Sequence, residues 1–235
     1  MLAVHSGALM PHILVGPAAA DVVLLLHFDN ADEQPYPDFS TYHRETTPVG
    51  LLATDTADPK FGAGSGIYDG TNYIGCASSI DFGFAGDWTI ECWAKRTGTS
   101  VPNNLNILFG NVLSGGGTQL RLLYFNPLTG AYGYRSPTAV IIPFDDPAPL
   151  DTWVHLAVTR ASGITRAFQN GIQQGGTLAD GSLAVAHAIT VGGANATDWG
   201  ANHGFVGELD EFRITNGVAR YTADFTPPTQ PFPDP

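Results

Sequence analysis

The chain has 235 residues, with 22 acidic against 10 basic side chains and a formal net charge of −12 at pH 7. An acidic surface repels phosphate backbones and anionic lipid, which excludes nucleic acid and membrane surfaces as partners. With 28 glycines, 17 prolines and 11% aromatics beside only 14% charged residues, the composition fits one domain of many short strands, not helices or heptads.

Residues 1–20, MLAVHSGALMPHILVGPAAA, open the chain without a Lys or Arg and are interrupted by His5, Pro11, His12, Gly16 and Pro17. A secretory signal needs a basic start and an unbroken apolar core, so this segment is expected to stay as an N-terminal arm. Its Leu2, Val4, Leu9, Met10, Ile13, Leu14 and Val15 would expose apolar surface if left free. Pro and Gly oppose a long helix, so docking along a groove or sheet edge of a neighbouring subunit, in a homo-oligomer or a larger assembly, is the expected way to bury it. A free or self-packed terminus is the alternative.

Strand-like runs follow: VVLLLHF (22–28), DWTIECWAK (87–95), NILFGNV (106–112), QLRLLYF (119–125) and TWVHLAVTR (152–160). VVLLL is too short to cross a bilayer. RAFQNGIQQ sets Asn170-Gly171 between two extended segments, and both residues tolerate the positive φ of a type I′ hairpin turn. HAITVGG and GELDEFRI supply two further strands. Pro227, Pro228, Pro231, Pro233 and Pro235 then dictate a non-helical tail that can lie along a sheet but cannot join its interior. The sandwich is expected over 21–226 and the Pro-rich tail over 227–235.

Alternation in DWTIECWAK predicts Trp88, Ile90, Cys92 and Ala94 on a core face and Thr89, Glu91, Trp93 and Lys95 on the other. Cys76 and Cys92 lack metal-ligand spacing, and Cys92 is expected as a buried free thiol. The same alternation in GELDEFRI groups Glu208, Asp210, Phe212 and Ile214 against Leu209, Glu211 and Arg213, which places Asp210 among large apolar neighbours. Such a carboxylate either accepts hydrogen bonds or binds an ion.

Asn195, Asp198, Trp199, Asn202 and His203 fall in one loop, GGANATDWGANHG. An aromatic ring for a sugar's C–H face with amides and a carboxylate for its hydroxyls would make a glycan site; a Trp folded over the sandwich end, with Asn and Gly as turn residues, is the other reading. Tyr132, Tyr134 and Arg135 offer a second candidate surface. His155 reads as a hydrogen-bonded strand residue. No Ser/His/Asp set, no histidine metal spacing and no phosphate loop is present, and no cofactor is called for beyond a structural ion.

In order, LLLHFDN, KFGAGSGIYDG, DWTIECWAK, TWVHLAVTR, FQNGIQQGG and GFVGELDEFRITNGVARYTADFTPP resemble the laminin-G-like, concanavalin A-like domains, above all those of bacteriophage structural proteins. The resemblance covers roughly residues 22 to 232 and implies an all-β fold: a two-sheet antiparallel jelly-roll sandwich. It implies structural calcium near Asp29 and Asp38, with Asp210 a further candidate ligand, although the family's Asp-Ser-Ser-Gly is here Asp38-Phe39-Ser40-Thr41. Related glycosidases carry E-x-D followed by another Glu; Phe212 and Arg213 stand where that Glu is needed, so no catalytic pair is expected. The closing GVARYTADFTPPTQPF is the part most similar to phage proteins. It implies a non-enzymatic virion component, a capsid decoration or tail protein made in the host cytoplasm and displayed on the virion surface among other virion proteins. Binding of host-surface glycans, as an adhesin, is the alternative function.

Overall fold

The computed structural model describes residues 21–30, 35–99, 104–112, 121–180, 186–193 and 203–235. The arm, with Leu2, Val4, Leu9, Met10, Ile13, Leu14 and Val15, lies outside them, as do Asn195, Asp198, Trp199 and Asn202 of the candidate glycan loop.

The strands in chain order are β1 (Asp21–Leu26), β2 (Thr46–Val49), β3 (Ala53–Asp55), β4 (Ser65–Asp69), β5 (Tyr73–Ser79), β6 (Trp88–Arg96), β7 (Asn106–Val112) and β8 (Arg121–Asn126). They continue with β9 (Ala131–Arg135), β10 (Ile141–Pro147), β11 (Trp153–Ala161), β12 (Ile164–Gln169), β13 (Ile172–Ala179), β14 (His187–Val191) and β15 (Val206–Asn216). One sheet runs β13-β12-β11-β6-β15-β4-β3 with β1 also paired to β15; the other runs β10-β9-β8-β7-β14-β5-β2. Neighbouring strands are antiparallel, so the expected all-β sandwich is what forms.

The inner face of β6 is the predicted one. Trp88, Ile90, Cys92 and Ala94 are buried in the main core with Leu24, Phe109, Val158 and Phe212, and both cysteines are free. Asn170 (φ 50°) and Gly171 (φ 80°) make the β12–β13 turn. A side chain at Gly171 would collide with the carbonyl of Phe225, because the C-terminal segment is laid against this hairpin. The AYGYRS surface does not exist as such: Tyr132 and Tyr134 point into the core.

β15 departs from the alternation rule. Asp210 lies opposite Trp93 but Arg213 lies opposite Glu91, three steps on one strand against two on the other. The extra residue is a β-bulge with Glu211 at φ 51°. Leu209, Phe212 and Ile214 therefore share the core, and Asp210 faces away from it with Glu208 and Arg213. The predicted grouping of Asp210 with Phe212 and Ile214 is corrected, as is the opposition of Glu211 to Glu208. The apolar spacing 209, 212, 214 records the bulge.

Candidate functional site: a carboxylate row on the outer face

The outer face of the larger sheet collects Glu91, Trp93 and Lys95 from β6, His155 from β11, and Glu208, Asp210, Glu211 and Arg213 from β15, all buried. Four carboxylates on one sheet face must each be paired or neutralised, since an isolated buried charge costs several kcal/mol.

Three are paired. Glu208 accepts from Lys95 Nζ at 2.8 Å and from Ser65 Oγ at 2.8 Å. Lys95 also reaches Asp58 Oδ2 at 3.0 Å; burial works against its charge, but its bonds to Glu208 and Asp58 prevail and raise its pKa. Glu91 accepts from Arg213 Nη2 at 2.7 Å and Nε at 3.0 Å and from the Tyr221 hydroxyl at 2.8 Å, with His155 Nε2 at 3.3 Å. Burial alone would raise its pKa, yet His155, Arg213 and Tyr221 hold it down at about 2. Glu211 meets His27 Nδ1 at 2.7 Å and accepts from the Phe232 amide at 2.6 Å. His27 Nε2 in turn lies 3.0 Å from Asp234, and although burial opposes the charged ring, these two carboxylates lift it to about 9.

Asp210 is the exception. It is fully buried, accepts a bond from the Phe61 amide at 3.0 Å, and has no cationic partner among the described residues. Burial, aided by the charges of Glu211 and Asp29, pushes it up to about 8, so it is a neutral acid at pH 7.

Two segments of the chain roof this face. Phe61 packs edge-on against Trp93, and Lys60 Nζ sits 3.9 Å from the Trp93 ring centre. From the other side comes the C-terminal segment. The Phe225 amide donates to Gly171 at 2.8 Å, and Phe225 stacks on Tyr221 at 3.5 Å. The Thr159 hydroxyl donates to the Tyr221 carbonyl at 2.7 Å. Phe232 packs with Val22 and Leu25 and lies 3.8 Å from the Arg213 guanidinium.

The three aspartates expected at calcium do not form one ligand set. Both Asp38 oxygens are saturated by donors, namely the amides of Leu25, Ser40 and Arg44 and the Ser40 hydroxyl, at 2.7–2.9 Å. Asp29 takes the amides of Ala63 and Gly64. Among the described residues no group of three His, Cys, Asp or Glu side chains could hold a metal, and Asp38, ringed by N–H and O–H donors, does not fit a cation. Of the predicted glycan loop, His203 alone is described: half-buried, with Nδ1 3.2 Å from the Leu105 carbonyl.

A family model described as the concanavalin A-like lectin/glucanases superfamily matches residues 69–220, well over half the chain. The chain belongs to this superfamily. No curated protein matches it in sequence. Among solved structures, this superfamily member is similar to domain 4 of AbnA, a GH43 extracellular arabinanase from Geobacillus stearothermophilus in complex with arabinotriose. The identity is 18% and the TM-score 0.61, covering 85% of this chain and 94% of that domain. The binding domain of botulinum neurotoxin DC in complex with SialylT matches at 13% identity and TM-score 0.59, over 91% of this chain and 49% of that one. Trypanosoma rangeli sialidase in complex with 2,3-difluoro-KDN matches at 14% and 0.60, over 83% and 30%. The superfamily member thus spans nearly all of the arabinanase domain and less than half of the toxin and sialidase chains.

Proposed function

We propose that the chain is a non-enzymatic carbohydrate-binding domain. The carrying observation is the condition of the outer-face carboxylates: Glu91, Glu208 and Glu211 are each tied to a cation within the fold, and Asp210 is sealed. A retaining glycosidase needs two accessible carboxyl groups ~5 Å apart, one ionised and one protonated. Here the bulge turns Arg213 outward beyond Asp210, and its guanidinium is engaged with Glu91. The sugars in the arabinanase-domain and toxin-domain structures support the binding half of the reading. Screening on a glycan array together with a β-glucan hydrolysis assay tests it. Binding without turnover is expected; turnover that disappears in Glu208→Gln would overturn it.

A second reading concerns where the domain works. The closing GVARYTADFTPPTQPF, similar to phage structural proteins, folds onto its own sheet and makes the sandwich self-contained, which suits a module displayed on a virion. Deleting residues 1–20 should then leave a folded sandwich that no longer attaches to capsid or tail proteins. Unchanged attachment would count against the arm as the anchor.

A further inference from the structure

We infer that the carbohydrate site is the open groove at the end of β15, and that it takes neutral sugars in preference to sialylated ones; this rests on the binding role proposed above. The outer face of the larger sheet is roofed by residues of the chain itself, which leaves the rim more accessible to a ligand than that face. The groove has a volume of about 520 Å³, within the range of small-ligand sites. Ile80, Asp81, Gly86, Asp87, Asn216 and Gly217 line it.

The lining is tied together before any ligand arrives. Asn216 Nδ2 donates to the Asp81 carbonyl at 2.7 Å, and the Gly217 amide donates to the Asp87 carbonyl at 2.8 Å. Asp81 Oδ2 holds Arg44 and the Ser79 hydroxyl, and Asp87 Oδ1 takes the Ser162 amide at 2.7 Å. Asp81 Oδ1 and Asp87 Oδ2 accept nothing from the described residues, which leaves one acceptor on each carboxylate. Ile80 is 62% exposed and offers an apolar plane, and a side chain placed at Gly86 would meet nothing within 4 Å. Two fixed acceptors and an exposed apolar side chain lining one groove suit ring hydroxyls and a C–H face. Asp81 is balanced by Arg44, but Asp87, on a chain of net charge −12, disfavours a sialic acid carboxylate.

The test is an array of neutral and sialylated glycans, followed by titration of the best neutral binder into wild type, Ile80→Ala, Asp87→Asn and the distant Leu128→Ala, with melting measured for each. Asp87→Asn keeps an acceptor for Ser162, and Ile80 is exposed, so folding should survive. The expected result is at least tenfold weaker binding for both groove variants and unchanged binding for Leu128→Ala. Binding that persists in the groove variants but is abolished by Trp199→Ala would overturn the groove while leaving the carbohydrate role intact. Binding confined to sialylated glycans would overturn the preference, and an array with no binder at all would remove the role itself.

Discussion

Replacing Asp210 by Asn should stabilise the protein in a pH-dependent way. In the unfolded chain this carboxyl ionises near its ordinary 3.8, whereas in the fold it holds its proton up to about 8. The folded state therefore binds an extra proton across that interval. Stability from this group is fully present below the unfolded pKa and is lost as pH rises toward the folded one. Each unit is worth roughly 1.36 kcal/mol, so the loss by pH 7 has a ceiling of ~4 kcal/mol, and local relaxation and water entry should reduce it to about 1–3 kcal/mol. Asn can keep the bond from the Phe61 amide and never ionises. Urea unfolding at pH 4 and pH 7 should show little difference between the two proteins at the lower pH and an advantage of that size for Asp210→Asn at the higher. His27 titrates equally in both and cancels. An advantage that is the same at both pH values, or a deficit that grows with pH, would refute the assignment of a buried neutral acid.

Three further outcomes are expected. His27→Gln should remove a separate pH response: the raised pKa of His27 makes its contribution fully present below about 6.5 and lost as pH rises through about 9, so in an Asp210→Asn background the decline over that window should flatten, by about 1–2 kcal/mol. Phe232→Ala should cost about 2–4 kcal/mol in urea unfolding, because the ring is buried between Val22, Leu25 and the Arg213 guanidinium; a cost under ~0.5 kcal/mol would mean that the segment does not pack there. Added calcium or chelator should leave melting unchanged, whereas saturating a real site at ~100 times its dissociation constant would add ~2.7 kcal/mol, so a clear upward shift would restore Asp29 or Asp38 as a ligand.

The fold was legible wherever a local rule met no competitor. The inner face of β6 followed from period-2 alternation, and the Asn170-Gly171 turn from the only residues that make positive φ cheap. At β15 the same rule failed, since a bulge inserts one residue and reverses every side chain beyond it, and a regular alternation assumed from Glu208 onward cannot show that. Tyr132 and Tyr134 looked like a surface because tyrosine carries a polar tip, but ring area decided in favour of the core. The expected calcium aspartates carried a motif whose second and fourth residues had changed; Ser40 and backbone amides supply Asp38 with donors. The roofing of the outer face was the least legible feature, because Phe225 and Phe232 sit in a Pro-rich stretch whose composition predicts extension without saying what it will cover.

The pairing of β1 with β15 sets a condition on how the molecule comes into being. Asp21 lies opposite Asn216 and Leu26 opposite Phe212, so β1 waits for a partner strand made long after it. Until then VVLLL has no edge to join, and the ribosome carries a sandwich missing a strand next to its central pair. Such high contact order slows folding toward the millisecond-to-second range and lengthens the time during which apolar edges are open to other chains. Yield in a cell should accordingly respond to growth temperature and chaperone supply more than to the stability of the finished protein.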